Sequence, residues 1–150
     1  MTKVVHDTDI GSGLEISGGK LNVAGSMATD AEVAAAIAAQ YANDTNWIAL
    51  TPYLVAGMSN YGSGFAGVRF RRLYNRVYLE GLLNTTSIGY VGGIANLPSG
   101  FRPSQQHVFL AAVHNGAARI DIGPTGLVQI ITNSGGEPWV SLDGISFDLA

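Results

Sequence analysis

The stretch His107-Val108-Phe109-Leu110-Ala111-Ala112-Val113-His114-Asn115-Gly116-Ala117-Ala118-Arg119-Ile120-Asp121-Ile122 decides the fold class. Asn-Gly is the strongest short hairpin signal, because both residues accept the positive φ that a tight two-residue turn demands. It stands between two runs of strand character. The downstream arm alternates, with Ala118, Ile120 and Ile122 on one face and Arg119 and Asp121 on the other. The upstream arm, Val108 to Val113, is apolar on both faces, which predicts core on one side and a subunit contact on the other.

Working outward, Pro124-Thr125-Gly126 turns the chain into a further strand, Leu127 to Thr132. Beyond the Ser134-Gly135-Gly136 loop, Trp139–Leu142 and Ile145–Leu149 flank Asp143-Gly144, a second turn dipeptide of the same kind. The pattern predicts an antiparallel meander of three hairpins ending at Leu149. Toward the N-terminus, Phe65–Tyr74 and Val77–Leu83 read as paired strands around Asn75, and from Trp47 onward all signals are β. Six or more short strands with turn punctuation predict a mainly β protein, an antiparallel sandwich or barrel-like head.

Ahead of the head lies a different pattern. Leu14 and Ile16, then Leu21 and Val23, alternate around Ser17-Gly18-Gly19-Lys20, a small hairpin that needs a neighbour to be stable. Thr29-Asp30-Ala31-Glu32 reads as a capping box opening one short α-helix, Ala31 to Tyr41. Its Val33, Ile37 and Tyr41 form a narrow apolar stripe among alanines. Two readings stand: the stripe packs on its own β domain, or it meets two copies of itself around an axis as a trimer stem. Residues 1–45 are therefore assigned to an N-terminal stem or attachment segment, and 46–150 to the head.

Composition agrees with an assembled protein. Apolar residues make up 47% and charged ones 13% of 150 residues, too few charges to coat a large monomer surface, so some apolar surface is expected against other subunits. A net charge of −3 predicts no nucleic-acid partner. The absence of cysteine excludes a disulfide scaffold. Met1 to Asp7 lacks the apolar core of a signal peptide, and no apolar run is long enough for a bilayer. The expectation is synthesis in the cytosol without a classical signal, and no membrane insertion.

Two segments together resemble a known family. Leu97-Pro98-Ser99-Gly100-Phe101-Arg102-Pro103 resembles a loop of many phage tail-fibre and baseplate receptor-binding heads, and Gly136-Glu137-Pro138-Trp139-Val140-Ser141-Leu142-Asp143-Gly144-Ile145-Ser146-Phe147 resembles their C-terminus. The run from Arg69 through Arg76-Val77-Tyr78-Leu79-Glu80-Gly81 resembles a strand of the same heads, and the hairpin and alanine-rich helix are similar to fibre stem segments. The resemblance covers residues 47–150 well and the stem loosely, and this chain has almost no shaft. It implies a homotrimeric β-head on a short stem, carried on a virion and joined to other tail, baseplate or capsid proteins through the N-terminal segment. Its motifs look structural and name no ligand.

Gly62-Ser63-Gly64-Phe65-Ala66-Gly67 fits G-x-G-x-x-G literally, but a dinucleotide site needs a helix after it, and Val68–Tyr74 is strand-like. It reads as a flexible loop, and no cofactor is expected. Arg69, Arg71, Arg72 and Arg76 beside Tyr74 and Tyr78 read as surface and inter-subunit ion pairs. His107 and His114 lie an odd number of residues apart on one strand, so they face opposite ways and share no metal. Glycan cleavage would require two facing carboxylates. Asp143 is taken as a turn residue, Asp148 sits near the chain end and Asp121 faces outward beside Arg119, so no enzyme is expected. Saccharide binding would fall to loop aromatics and amides, Asn60, Tyr61 and Tyr90, with Trp139 either stacking on sugar or packing in the core. Three functions follow: a receptor-binding head for host-surface saccharide, a structural knob or capsid-decorating fibre without a ligand site, or a saccharide-cleaving enzyme.

Overall fold

The computed structural model describes residues 14–17, 20–23, 30–42 and 44–149. The chain divides into two units, residues 1–42 and 43–150. In the first, β1 (Leu14–Ser17) and β2 (Lys20–Val23) form the expected antiparallel hairpin, with Leu14 opposite Val23 and Ile16 opposite Leu21. Helix α1 spans Asp30–Tyr41. Val33, Ile37 and Tyr41 are exposed in the single chain, at 44%, 50% and 49%. Thr29, the expected N-cap, lies outside the described residues.

The second unit is built from β3 (Ile48–Ala49), a 3-10 turn (Thr51–Tyr53), β4 (Ser59–Asn60), β5 (Arg69–Leu73), β6 (Arg76–Glu80), β7 (Leu82–Asn84), β8 (Gly92–Asn96), β9 (His107–Val113), β10 (Gly116–Ile122), β11 (Leu127–Asn133), β12 (Trp139–Ser141) and β13 (Ser146–Asp148). One sheet has the order β8-β11-β10-β9, a second β13-β6-β5-β3, and a third β12-β7-β4. All described pairings are antiparallel. The sheets enclose one apolar cluster. Phe70, Val77, Leu79, Leu83, Val140 and Phe147 enter it from the second and third sheets, Leu142 from the turn after β12, and Ile94, Ala118, Ile120, Ile122, Val128 and Ile130 from the first.

The β9-β10 hairpin and the β10-β11 connection form where expected, but the turn falls one residue earlier than Asn115-Gly116. Val113 stands opposite Gly116, so His114 and Asn115 make the turn, Asn115 takes φ 55, and His114 leaves the strand it was expected to share with His107. Within one chain β9 is buried on one face only. Ala111 and Val113 point into the core, while Val108 and Leu110 are 57% and 81% exposed.

Two expectations are corrected. The strand expected from Phe65 begins at Arg69, and its partner ends at Glu80, because Gly81 adopts φ 104 and sends the chain into the third sheet. A Cβ at Gly81 would run into the Gly67 backbone, so only glycine fits this bend. The Asp143-Gly144 dipeptide does not close a hairpin. β12 pairs with β7 and β13 with β6, in different sheets. The two arms lie antiparallel along the bent β6–β7 segment, and Leu142–Ile145 is a turn bulged out opposite Gly81. Gly81 N–H donates to Asp143 Oδ1 at 2.7 Å, and Gly81 O accepts from Leu142 N at 2.9 Å.

The Leu97–Pro103 segment is a structural lock, as its motif suggested. Arg102 Nε donates to Leu97 O at 2.8 Å, Leu97 N to Gly126 O at 2.8 Å, and the Phe101 ring packs edge-on against Phe70 at 4.9 Å.

Candidate functional site

The bent ladder has two distinguishable ends. Asp148 opposite Arg76 marks one, and Trp139 opposite Asn84 the other. The chain enters the head at the Arg76 end, where Thr45 and Arg72 exchange hydrogen bonds of 2.8 and 2.9 Å. An aromatic groove runs from the Gly81 bend toward the Trp139 end.

This groove, a cavity of about 450 Å³, is lined by Tyr61, Phe65, Leu82, Ala112, His114, Trp139, Ser141 and Asp143, among others. Tyr61 follows β4 and is held by its N–H on Leu82 O at 3.0 Å; Phe65 closes a turn on Gly62 O at 3.0 Å. The intervening Gly62, Ser63 and Gly64 all take positive φ, so the loop doubles back and brings the two rings to 5.6 Å. Trp139 stands edge-on to Tyr61 at 6.4 Å and to His114 at 6.4 Å. Phe65 is 60% exposed and Tyr61 36%, so both rings offer a face to solvent.

Polar groups are few. Asp143 is fixed from both sides, its Oδ1 on Gly81 N and its own N–H on Ser141 Oγ at 3.1 Å, and it is the single carboxylate in the lining. His114 is braced by Asn115 Nδ2 at 2.9 Å and by its carbonyl accepting from Gly136 N at 3.0 Å. Ring faces with a few fixed polar groups suit a neutral, hydroxyl-rich ligand. Among the described residues no cluster of side chains could hold a metal ion.

Of the expected saccharide residues, Tyr61 and Trp139 come together here. Asn60 does not: its Oδ1 accepts from Val68 N at 2.8 Å, and its side chain lies under Gly67. Tyr90 is also elsewhere, half-buried, with its hydroxyl donating to Gly93 O at 3.0 Å. Phe65, His114 and Asp143 join the groove without having been singled out for it. The sequence signal for Phe65 was a ring inside a glycine-rich loop and for His114 its place next to Asn115-Gly116; Asp143 carried only a turn signal.

Of the arginines of β5 and β6, expected in ion pairs, only Arg69 and Arg76 form them among the described residues. Arg69 pairs with Glu80, Arg76 with Asp148 at 2.9 Å, and Arg72 Nε donates to Tyr74 O at 2.8 Å. On β10, Arg119 holds Asp121 through two bonds of 2.7 and 2.8 Å, with Gln106 adding a third at 2.7 Å. Asp121 therefore does lie beside Arg119, yet it is only 3% exposed. Hydrogen bonding from Arg119 first, and from Gln106, holds its carboxyl below the usual carboxylate range against the opposing effect of burial.

No protein-family model matches the sequence, and no curated protein does. Solved structures do match. The receptor-binding protein of Listeria phage PSA aligns over 81% of this chain and 80% of its own, with TM-score 0.57 and 19% identity. The chain has the fold of a phage receptor-binding protein. The head domain of lactococcal phage bIL170 also aligns, over 71% of this chain and 100% of its own, with TM-score 0.48 and 18% identity.

Proposed function

We propose that this chain is a host-attachment protein of a phage particle, a non-catalytic homotrimer whose heads take host-surface saccharide in the Tyr61–Phe65–His114–Trp139 groove. The observation that carries this reading is the position of that groove, on the half of the bent ladder away from the point of chain entry. A head joined through its N-terminal segment to tail, baseplate or capsid proteins would present this half to the cell. The shared fold with a phage receptor-binding protein supports the assignment to a virion.

Weak single sites suffice for attachment. Three grooves on one assembly, and many assemblies on one particle, raise avidity through effective concentration without any new contact. The single carboxylate of the groove supports the non-catalytic reading, since hydrolysis of a glycosidic bond uses a pair. Self-association is supported by apolar surface left exposed on the head, Leu110 and Val108 on β9.

The test is adsorption of purified protein to host cells and to a glycan array, comparing the native chain with Phe65→Ala and Tyr61→Ala. Both side chains are exposed, so folding should survive while binding falls roughly two- to tenfold for each stacking ring lost. Unchanged adsorption by folded variants removes the groove from the site. Absence of any adsorption by the native protein favours the structural-knob reading, and turnover of host polysaccharide would establish an enzyme.

A further inference from the structure

We propose that Arg71 and the cleft beside it form a second binding site, distinct from the aromatic groove, for a carboxylate-bearing sugar. The cleft, about 390 Å³, opens on the outer face of the β13-β6-β5-β3 sheet and is lined by Trp47, Arg71, Tyr78, Glu80, Asp143 and Ser146, among others. Every other described arginine donates to an acceptor within the chain: Arg69, Arg72, Arg76, Arg102 and Arg119. Arg71 does not. Its guanidinium carbon lies over the Trp47 ring at 4.5 Å and the Tyr78 ring at 5.6 Å, and its Nε is buried without a hydrogen-bond partner.

A buried N–H without an acceptor carries its desolvation cost uncompensated, which an incoming acceptor would relieve. A guanidinium held against aromatic rings donates in its own plane, a fork that matches a carboxylate in two parallel bonds. Nearby groups define the rest of the ligand. Glu80 is neutralised by Arg69, and Asp143 is anchored on Gly81 N, so both remain as acceptors for sugar hydroxyls. The same two carboxylates oppose a dianion, so a singly charged carboxylate is favoured over a phosphate monoester. Asp143 lines both this cleft and the groove, from opposite sides of the Leu142–Ile145 bulge.

The experiment titrates the native full chain with methyl glucuronide, methyl glucoside and glucose 6-phosphate, followed by amide and indole NMR shifts. Saturable shifts at Trp47, Tyr78, Gly144 and Ser146 are expected with the glucuronide at millimolar concentrations. Arg71→Gln should weaken this binding about tenfold or more, Arg71→Lys by less, and Phe65→Ala should leave it unchanged. The Phe65 variant separates failure here from failure of the groove. An equal response to the neutral glucoside, a stronger response to the phosphate, or no saturable shift would overturn the proposal. So would loss of assembly mass in Arg71→Gln, which would assign Arg71 to a carboxylate of a neighbouring copy.

Discussion

Gly81 donates its backbone N–H to the carboxylate of Asp143 at 2.7 Å, across 62 positions of sequence. This bond holds the bulge of one strand pair against the bend of the other, so the sheet switch at Gly81 and the turn at Asp143-Gly144 fix each other. Asp143→Ala removes a charged acceptor and should destabilise the head by about 1–3 kcal/mol in urea unfolding. Asp143→Asn keeps an acceptor oxygen and should recover most of the loss. Equal effects from the two variants would show that the bond contributes little.

Gly81 itself admits no side chain. Its φ of 104 is strained for any L-residue, and a Cβ there meets the Gly67 backbone, which cannot swing away as a long side chain could. Gly81→Ala should cost at least about 2 kcal/mol through strain and overpacking. Gly144→Ala is the useful control, since its φ is also positive but a Cβ there meets nothing within 4 Å. It should cost less, by the same unfolding measurement.

Two turn dipeptides show where the sequence could be read and where it could not. Asn115-Gly116 and Asp143-Gly144 carry the same local signal, and only the first marks a hairpin, whose turn is His114-Asn115. The difference lies in partner choice: β12 and β13 find β7 and β6 on either side of the Gly81 bend, a pairing that no local pattern encodes. Alternation on β10 and the turn at Pro124-Thr125-Gly126 were legible because they rest on adjacent residues. The groove was half legible. Ring chemistry pointed to Tyr61 and Trp139, but their convergence with Phe65 and His114 is a product of tertiary pairing. Asn60 and Tyr90 looked available because their partners, Val68 N and Gly93 O, are set by backbone geometry.

Asp121 gives the head a defined acid sensitivity. Its folded-state pKa is depressed, chiefly by hydrogen bonding from Arg119, so the ionised pair stabilises the fold above the ordinary carboxylate range near ~4. That contribution is lost as pH falls through the depressed folded value. Arg119→Ala should raise the pH of the acid unfolding midpoint, because the carboxyl stays buried with only Gln106 to hold it. Arg119→Ala with Asp121→Asn should restore part of the loss near neutral pH and flatten the acid dependence. An acid midpoint unmoved in the single variant would show that other groups control it.

Leu110 bears on assembly. At 81% exposure in one chain, on the outward face of β9 beside Val108, a leucine gains nothing from the fold that a lysine would not also have. In an isolated head, Leu110→Lys should therefore change stability by no more than about 0.5 kcal/mol. If the outward face of β9 is a subunit contact, the same change buries an unpaired ammonium and assembly should fail. Light scattering of the native chain should give about three times the chain mass of 15.6 kDa, and Leu110→Lys should shift it toward one chain mass with the head still folded. Ile37→Asp tests the stem separately, since it should loosen the helical stripe while leaving head contacts intact. A trimer that survives Leu110→Lys places the head interface on another face. A native chain that stays monomeric on concentration removes the trimer altogether, and with it the avidity on which weak attachment depends.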